Sequence, residues 1–371
     1  MGKHRVVTII GTRPEAIKMA PVIKELQRNS GAFEHSLLTT AQHREMLDQV
    51  LDVFKLVPDL DLKLMEHNQD LAAFASRSLV SLSEKLAALR PDAVLVQGDT
   101  TTVMTSALAA FYQGIKVGHV EAGLRSFDRR NPFPEEINRR VAGCLSDFHF
   151  APTDLARRNL LGEGVAPEQV FVTGNTIVDA LQSIPLEGGF DDARIDAVDF
   201  QNRRVLLVTA HRRENHGEPL RAVCRALKRL VASFDDVEIV YPVHLNPNVS
   251  GPVRDELSTT RGVHLIDPVS YIDLLKMMSR CYLILTDSGG IQEEAPSFHK
   301  PVLVLREVTE RPEVIEVGAG KIVGTDADRV FDEAAGLLSD SDSYRRMSSA
   351  RNPFGDGQAA KRIVSVLAEM L

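Results

Sequence analysis

The chain is poor in cysteine. Its three thiols, Cys144, Cys224 and Cys281, show neither a metal-ligand spacing nor the even, regular pattern of a disulfide framework. Two of them fall in apolar segments, which suits buried thiols in a reducing compartment. No apolar run approaches the roughly 20 residues needed to span a bilayer. The apolar run near the N-terminus stops at Gly11 and lacks the length and cleavage site of a signal peptide, so a cytoplasmic location is expected. Excess positive charge is also missing. The formal net charge is −8 and the isoelectric point about 5.8, which argues against nucleic acid or an anionic membrane as partner. Any anionic ligand must then be held by a local cluster of cations. The chain has no paired His/Cys metal set, no nucleophile elbow, no Gly-x-Gly-x-x-Gly fingerprint after a strand, no low-complexity stretch and no short-period repeat. No metal or cofactor is expected.

What is present is ordinary in bulk and specific in pattern. With 371 residues, 44% hydrophobic and 25% charged, two domains with separate cores are the natural expectation. Short apolar runs alternate with longer helical patterns. Strands are expected at 5–10, 35–39, 93–97, 116–121, 148–151 and 170–173, with helices at 14–28, 71–89 and 100–111 among the connections. Residues 186–202, rich in Gly and Asp, separate these from a second set of strands at 204–209, 237–242, 263–266, 282–286 and 302–305. Alternation of this kind predicts an α/β chain of two Rossmann-like, doubly wound parallel-sheet domains. Their ligands belong at the carboxyl ends of strands, in a cleft. The expected division is 1–175 with a returning C-terminal helix at 357–371, and 176–356.

The candidate residues sit just after these strands. The stretch Asp287-Ser288-Gly289-Gly290 leads from a strand into a helix, where unpartnered backbone N–H groups and the helix dipole favour a phosphate. Thr12 and Glu15 have the spacing of a capping box, with Pro14 in the first turn. That leaves Arg13 and Lys18 as two cations near the positive end of a helix dipole, a conflict that a bound anion would resolve. Asp99 has the position of an N-cap. Glu121 closes a strand before an irregular loop, and is a candidate acid or base. Glu135 and Glu136 begin the next helix, where acids commonly serve the dipole. His211, Arg212 and Arg213 cluster after the first strand of the second set, and a phosphate-facing role is as reasonable as a solvated one. His244 reads locally as a structural histidine. Arg311 follows the last strand.

Ten ordered blocks carry a resemblance that spans the chain: GTRPEAIKMAP (11–21), TAQHREMLDQV (40–50), GDTTT (98–102), GHVEAGLR (118–125), PEEINR (134–139), HRREN (211–215), YPVHLNPNV (241–249), LTDSGGIQEEAPS (285–297), TERPE (309–313) and NPFGDG (352–357). With these blocks the sequence resembles the non-hydrolysing UDP-N-acetylglucosamine 2-epimerases of bacteria. The resemblance implies a GT-B fold, its two domains facing across a cleft and its C-terminal helix crossing back to the first. It implies interconversion of UDP-GlcNAc and UDP-ManNAc without metal or nicotinamide, through expulsion and re-addition of UDP, by a protein that is usually a homodimer. It places Ser288, Gly289 and Gly290 on the phosphates and Glu294 on the ribose. Arg13, Lys18, His211 and Arg311 match further nucleotide contacts. Val269 and Leu274 fall on the uracil side, where other members carry different side chains. Asp99, Glu121 and Glu135, with His211, match the essential catalytic groups. Gln42, His43, Arg212 and His244 match a second, activating substrate site; Asn68 and Glu45 depart from it, standing where some members have Arg and Gln. The competing reading is a GT-B glycosyltransferase that uses a UDP-sugar donor.

Overall fold

The computed structural model describes residues 2–40, 44–64 and 70–371. The chain divides into two compact units: Met1–Ile184 with Phe354–Leu371, and Pro185–Pro353. The first takes in the helix Thr176–Ser183, which lies beyond the expected limit at 175. This helix packs on the helix Arg13–Arg28, and the buried Asp179 carboxylate accepts the backbone N–H groups of Ala359 (3.2 Å) and Ala360 (2.9 Å). Those two residues open the last helix, Ala359–Met370, so one carboxylate caps the C-terminal helix and fixes it to the first unit.

Unit one is built on seven parallel strands: β1 (His4–Ile10), β2 (Phe33–Thr39), β3 (Leu60–Asp61), β4 (Ala93–Gln97), β5 (Lys116–Val120), β6 (Phe148–Ala151) and β7 (Val170–Val172). Their order is β3-β2-β1-β4-β5-β6-β7. Unit two has six: β8 (Arg204–Thr209), β9 (Val237–Pro242), β10 (Val263–Ile266), β11 (Leu283–Thr286), β12 (Val302–Val304) and β13 (Gly320–Ile322), in the order β10-β9-β8-β11-β12-β13. All pairings are parallel. The central strands are apolar along most of their length because both faces are covered by helices. In unit one Val7, Ile9, Val94, Val96 and Val117 join Leu82, Leu86, Val103 and Ala107 in one core. In unit two Leu206, Val208, Ile239, Tyr241 and Leu285 pack with Leu220, Val223, Leu227 and Leu230.

The strand order reverses between β1 and β4 in unit one, and between β8 and β11 in unit two. Such switch points leave a crevice at the carboxyl ends of the strands. Both sheets are doubly wound, as the alternation predicts, and two such units match the GT-B fold that the resemblance implies. Strands β3 and β13, of two and three residues, were not expected. They lie at sheet edges, and each is too short to show a period.

Candidate active site

At the unit-one switch point, β1 runs into Gly11, Thr12 and the helix Arg13–Arg28. Half of the expected capping box forms. Glu15 reaches back to the N–H of Gly11 (2.5 Å) and also takes hydrogen bonds from Thr12, whose own side chain makes no cap bond. Burial pushes the Glu15 carboxyl up to about 7, against the hydrogen bonds from Thr100 and Gly11 that lower it. Gly11 is demanded by packing. A Cβ there would lie 2.5 Å from the Thr102 hydroxyl and 2.6 Å from that of Thr40.

Lys18 has a partner of opposite charge within its own unit. Its ammonium forms an ion pair with Glu121, and both side chains are largely buried. Arg13 is the first residue of the helix and half-buried. Strand β5 ends at Val120, one residue short of the expected limit, and Glu121 follows with φ 65°. A side chain in this left-handed region costs on the order of 1–3 kcal/mol and persists where its surroundings over-determine it. The turn aims the carboxylate back toward the β1 end, where Lys18 lies.

Asp99 does not cap the following helix. Thr100 does, its side chain accepting from Val103 N at 3.3 Å. Asp99 is instead held by the Arg139 guanidinium, whose Nε donates at 3.1 Å and whose Nη2 approaches more closely. Glu135 begins the helix Glu135–Leu145, and its Oε2 is buried with no hydrogen-bond partner among the described residues. Its neighbour Glu136 has a different task. Fully buried, it accepts from the backbone N–H groups of Ser126 (3.0 Å) and Phe127 (3.2 Å) and from Arg139 and Arg140. It thereby ties the loop after Glu121 to the helix that carries Glu135 and Arg139. Arg139 and Glu136 were missed as site-building residues. Their i,i+3 spacing was visible, but it is equally that of a solvated pair.

In unit two the equivalent place is the β8–β11 junction. Asp287, just after β11, is fully buried. Its Oδ2 accepts from the backbone N–H groups of His211 (2.8 Å) and Arg212 (2.8 Å) and from the Asn215 amide (3.0 Å). The loop after β8 is therefore fastened to the end of β11 with His211 and Arg212 on it. The His211 ring stacks on His244 with centroids 5.6 Å apart and planes 16° apart. Burial pushes the His211 imidazole below its ordinary range, Asp287 opposes this, and His244, Arg212 and His216 add to it. His244 also accepts the Asn246 N–H through Nδ1 (3.1 Å).

Ser288 precedes the helix Gly289–Glu294 without capping it through its side chain, and Gly290 is exposed. Neither glycine has a positive φ. A Cβ on Gly289 would find only Arg212 Nη2, at 3.8 Å, and one on Gly290 only Ser288 Oγ, at 3.9 Å. Among the described residues, then, nothing requires glycine at these positions. Arg311 pairs with the buried Glu293, and Thr309 with Gln292, so the 307–311 loop is anchored to this same helix. Glu294 accepts from the Tyr271 hydroxyl (2.8 Å). Val269 and Leu274, both half-buried, flank Tyr271 at the start of the helix Tyr271–Arg280. Tyr271, Glu293, Asn215 and Asp287 were given no role from sequence. Gln42, His43 and Asn68 lie outside the described residues, as does the side chain of Glu45.

The expected residues thus fall into two constellations. Carboxylates with paired cations stand at one switch point; a helix N-terminus with histidine and arginine stands at the other. Among the described residues no cluster of His, Cys, Asp or Glu could hold a metal ion, and no helix is long and apolar enough to cross a membrane. Two doubly wound units with strand-end groups of these kinds define an α/β protein whose switch points suit an anionic, nucleotide-type ligand.

The comparisons narrow the class. The family profile described as UDP-N-acetylglucosamine 2-epimerase matches residues 24–368. The UDP-N-acetylglucosamine 2-epimerase of Bacillus subtilis strain 168 is 50% identical over 367 residues, which is 99% of this chain and 96% of the relative. That of Escherichia coli K12 is 49% identical over 370 residues, 98% of each. The crystal structure of UDP-GlcNAc 2-epimerase from Neisseria meningitidis bound to UDP-GlcNAc superposes with a TM-score of 0.89 at 45% identity, covering 98% of this chain and all of that one. The chain belongs to the UDP-N-acetylglucosamine 2-epimerase family.

Proposed function

We propose that this protein interconverts UDP-GlcNAc and UDP-ManNAc in the cytoplasm by eliminating UDP and adding it back. The C2–H bond of the sugar is not adjacent to a carbonyl, so no enolate can absorb charge when its proton leaves. Elimination avoids the problem. A carboxylate takes the C2 proton, the C1–C2 double bond forms, and the C1–O bond breaks with its electron pair going to UDP. The intermediate is 2-acetamidoglucal. UDP then attacks C1 while a proton is delivered to the opposite face of C2.

The groups this chemistry needs are those at the two switch points. The departing pyrophosphate needs donors and positive charge, which Arg13, His211, Arg311, Ser288 and the N–H groups of Gly289 and Gly290 would supply. Glu294 would meet the ribose, and the chain around Val269 and Leu274 the base. Proton removal and return need carboxylates, and Asp99, Glu121 and Glu135 are the candidates. Glu121 meets Lys18 and Asp99 meets Arg139, whereas Glu135 Oε2 has no hydrogen-bond partner among the described residues. An ammonium in contact stabilises the carboxylate and weakens it as a base; separating the pair restores its basicity. Lys18 is in this reading a partner of the catalytic carboxylate as well as a cation near the nucleotide.

The observation that carries the reading is Glu121: a strained, buried strand-end carboxylate paired with a buried lysine, in a chain of this family. Proton NMR in D2O tests it. With UDP-GlcNAc and purified protein, UDP-ManNAc should appear, with deuterium at C2 of both sugars. Retention of the C2 proton at high enzyme and long times would sink the proposal, and accumulation of free ManNAc with UDP would point to hydrolysis.

A further inference from the structure

Asp287 does more than hold a loop. One of its oxygens, Oδ2, makes all three of the anchoring hydrogen bonds, to His211 N, Arg212 N and the Asn215 amide. An asparagine could make the same three bonds with its amide oxygen. The second oxygen, Oδ1, is buried and has no hydrogen-bond partner among the described residues. Leaving a buried charged acceptor unsatisfied is costly, so such an atom calls for a purpose. Oδ1 lies 3.6 Å from Nδ1 of His211, slightly beyond hydrogen-bonding distance. Catalytic hydrogen bonds are commonly long before substrate arrives and tighten afterwards.

The surroundings restrict what the ring can do. His244, at the end of β9, stacks on one face of the His211 ring and opposes its rotation out of plane. The charged and titratable groups facing the ring are Asp287 from the β11 end, His244 from the β9 end, and Arg212 and His216 from its own loop. Of these, only Asp287 favours a protonated ring. A histidine that meets a leaving pyrophosphate has to present Nε2 and gain positive charge as the bond breaks. It therefore needs a carboxylate behind Nδ1.

We propose that Asp287 is the positioning residue for His211: on nucleotide binding its Oδ1 accepts the Nδ1 proton, which fixes the tautomer that presents Nε2 to the diphosphate. This rests on the epimerase reading for its consequence in turnover, but the tautomer itself does not. Asp287 touches no substrate in this scheme. It acts through the ring, as the buried aspartate of a serine-protease triad does.

The test uses the full chain with 15N-labelled histidine, saturated with UDP, and reads the ring nitrogens of His211 by NMR at a pH where the ring is neutral. The wild-type protein should carry its proton on Nδ1. In Asp287→Asn the amide oxygen can keep the backbone N–H groups while its NH2 faces Nδ1, so the proton should move to Nε2 and the ring should titrate at lower pH. The kcat for UDP-GlcNAc should fall by about 100-fold or more, with KM within about threefold. A wild-type ring protonated on Nε2, or an Asp287→Asn enzyme with unchanged kcat, overturns the proposal. If Asp287→Asn does not fold, the wild-type tautomer decides alone. A correct tautomer in a protein that does not epimerise would leave this pairing standing and remove the activity reading instead.

Discussion

At the switch point of unit one, strand-end carboxylates meet side-chain cations; at that of unit two, a strand-end carboxylate meets backbone N–H groups. Glu121 and Asp99 are neutralised by Lys18 and Arg139. Asp287 gives its Oδ2 to the backbone N–H groups of His211 and Arg212 and to the Asn215 amide rather than to a side-chain cation. The same doubly wound topology thus yields opposite electrostatics. One end gathers groups that can take and return protons, with their charge controlled by partners. The other gathers donors and cations that suit an anion. The difference lies in which side chains the short loops after four strands carry, since the strand orders are equivalent.

Breaking the proton-transfer end should have the largest effect. Glu121→Gln is expected to lower kcat by about a thousandfold while leaving UDP affinity, read by calorimetry, within about threefold. If turnover survives, or if UDP binding is lost with it, the division of labour between the units is wrong. Gly289→Ala sharpens the comparison from the other end. Among the described residues the added methyl meets only Arg212, at ordinary contact distance, and alanine suits a helix better than glycine. The melting temperature should hold or rise, while the Kd for UDP increases by about tenfold because the methyl intrudes where a pyrophosphate must approach the backbone. A variant that binds UDP normally would show that these glycines do not touch the phosphates.

A smaller effect concerns pH and stability, and it belongs to unit one. Burial holds His35, His119 and His149 at about 4, below the ordinary 6.5. As pH falls from about 6.5 toward 4 the unfolded chain takes up these protons first, so the stability present above 6.5 is lost across that window. Glu15 works in the other direction. Its carboxyl is raised from 4.5 to about 7, so the unfolded chain ionises first as pH rises. The protonated carboxyl costs nothing below 4.5, and stability falls as pH climbs through 7. Glu15→Gln should be more stable than wild type at pH 8, by on the order of 2 kcal/mol in denaturant unfolding, and the gap should close by pH 5. A constant difference across pH would mean that Glu15 stays ionised in the folded protein.

Much of this was legible beforehand. Apolar runs located every expected strand but β2 to within a residue, and β2 begins two residues early, because buried parallel strands are nearly continuous apolar stretches. Edge strands β3 and β13 left no such mark. Residue types at strand ends pointed to Glu121, Asp99, His211 and the Ser288-Gly289-Gly290 turn. Local rules gave other partners in two places. Asp99 had the form of a cap but serves Arg139, and Thr12 had the form of a cap whose side chain makes no cap bond while Glu15 reaches back to Gly11. Lys18, a candidate anion contact by sequence, has Glu121 as a tertiary partner that no local rule pointed to. For Asp99 the local alternative was energetically adequate and a tertiary partner displaced it.

The sequence by itself determined the two sheets, the switch points and the residue types that surround them, since these follow from hydrophobic period and from turn and helix-start chemistry, all of which act over a few residues. Only the tertiary structure decided the pairings. Lys18 and Glu121 are 103 residues apart, and Asp287 lies 76 from His211. Such charges meet because β1 and β5, or β8 and β11, deliver them to the same end of one sheet, and their strength comes from being buried there together.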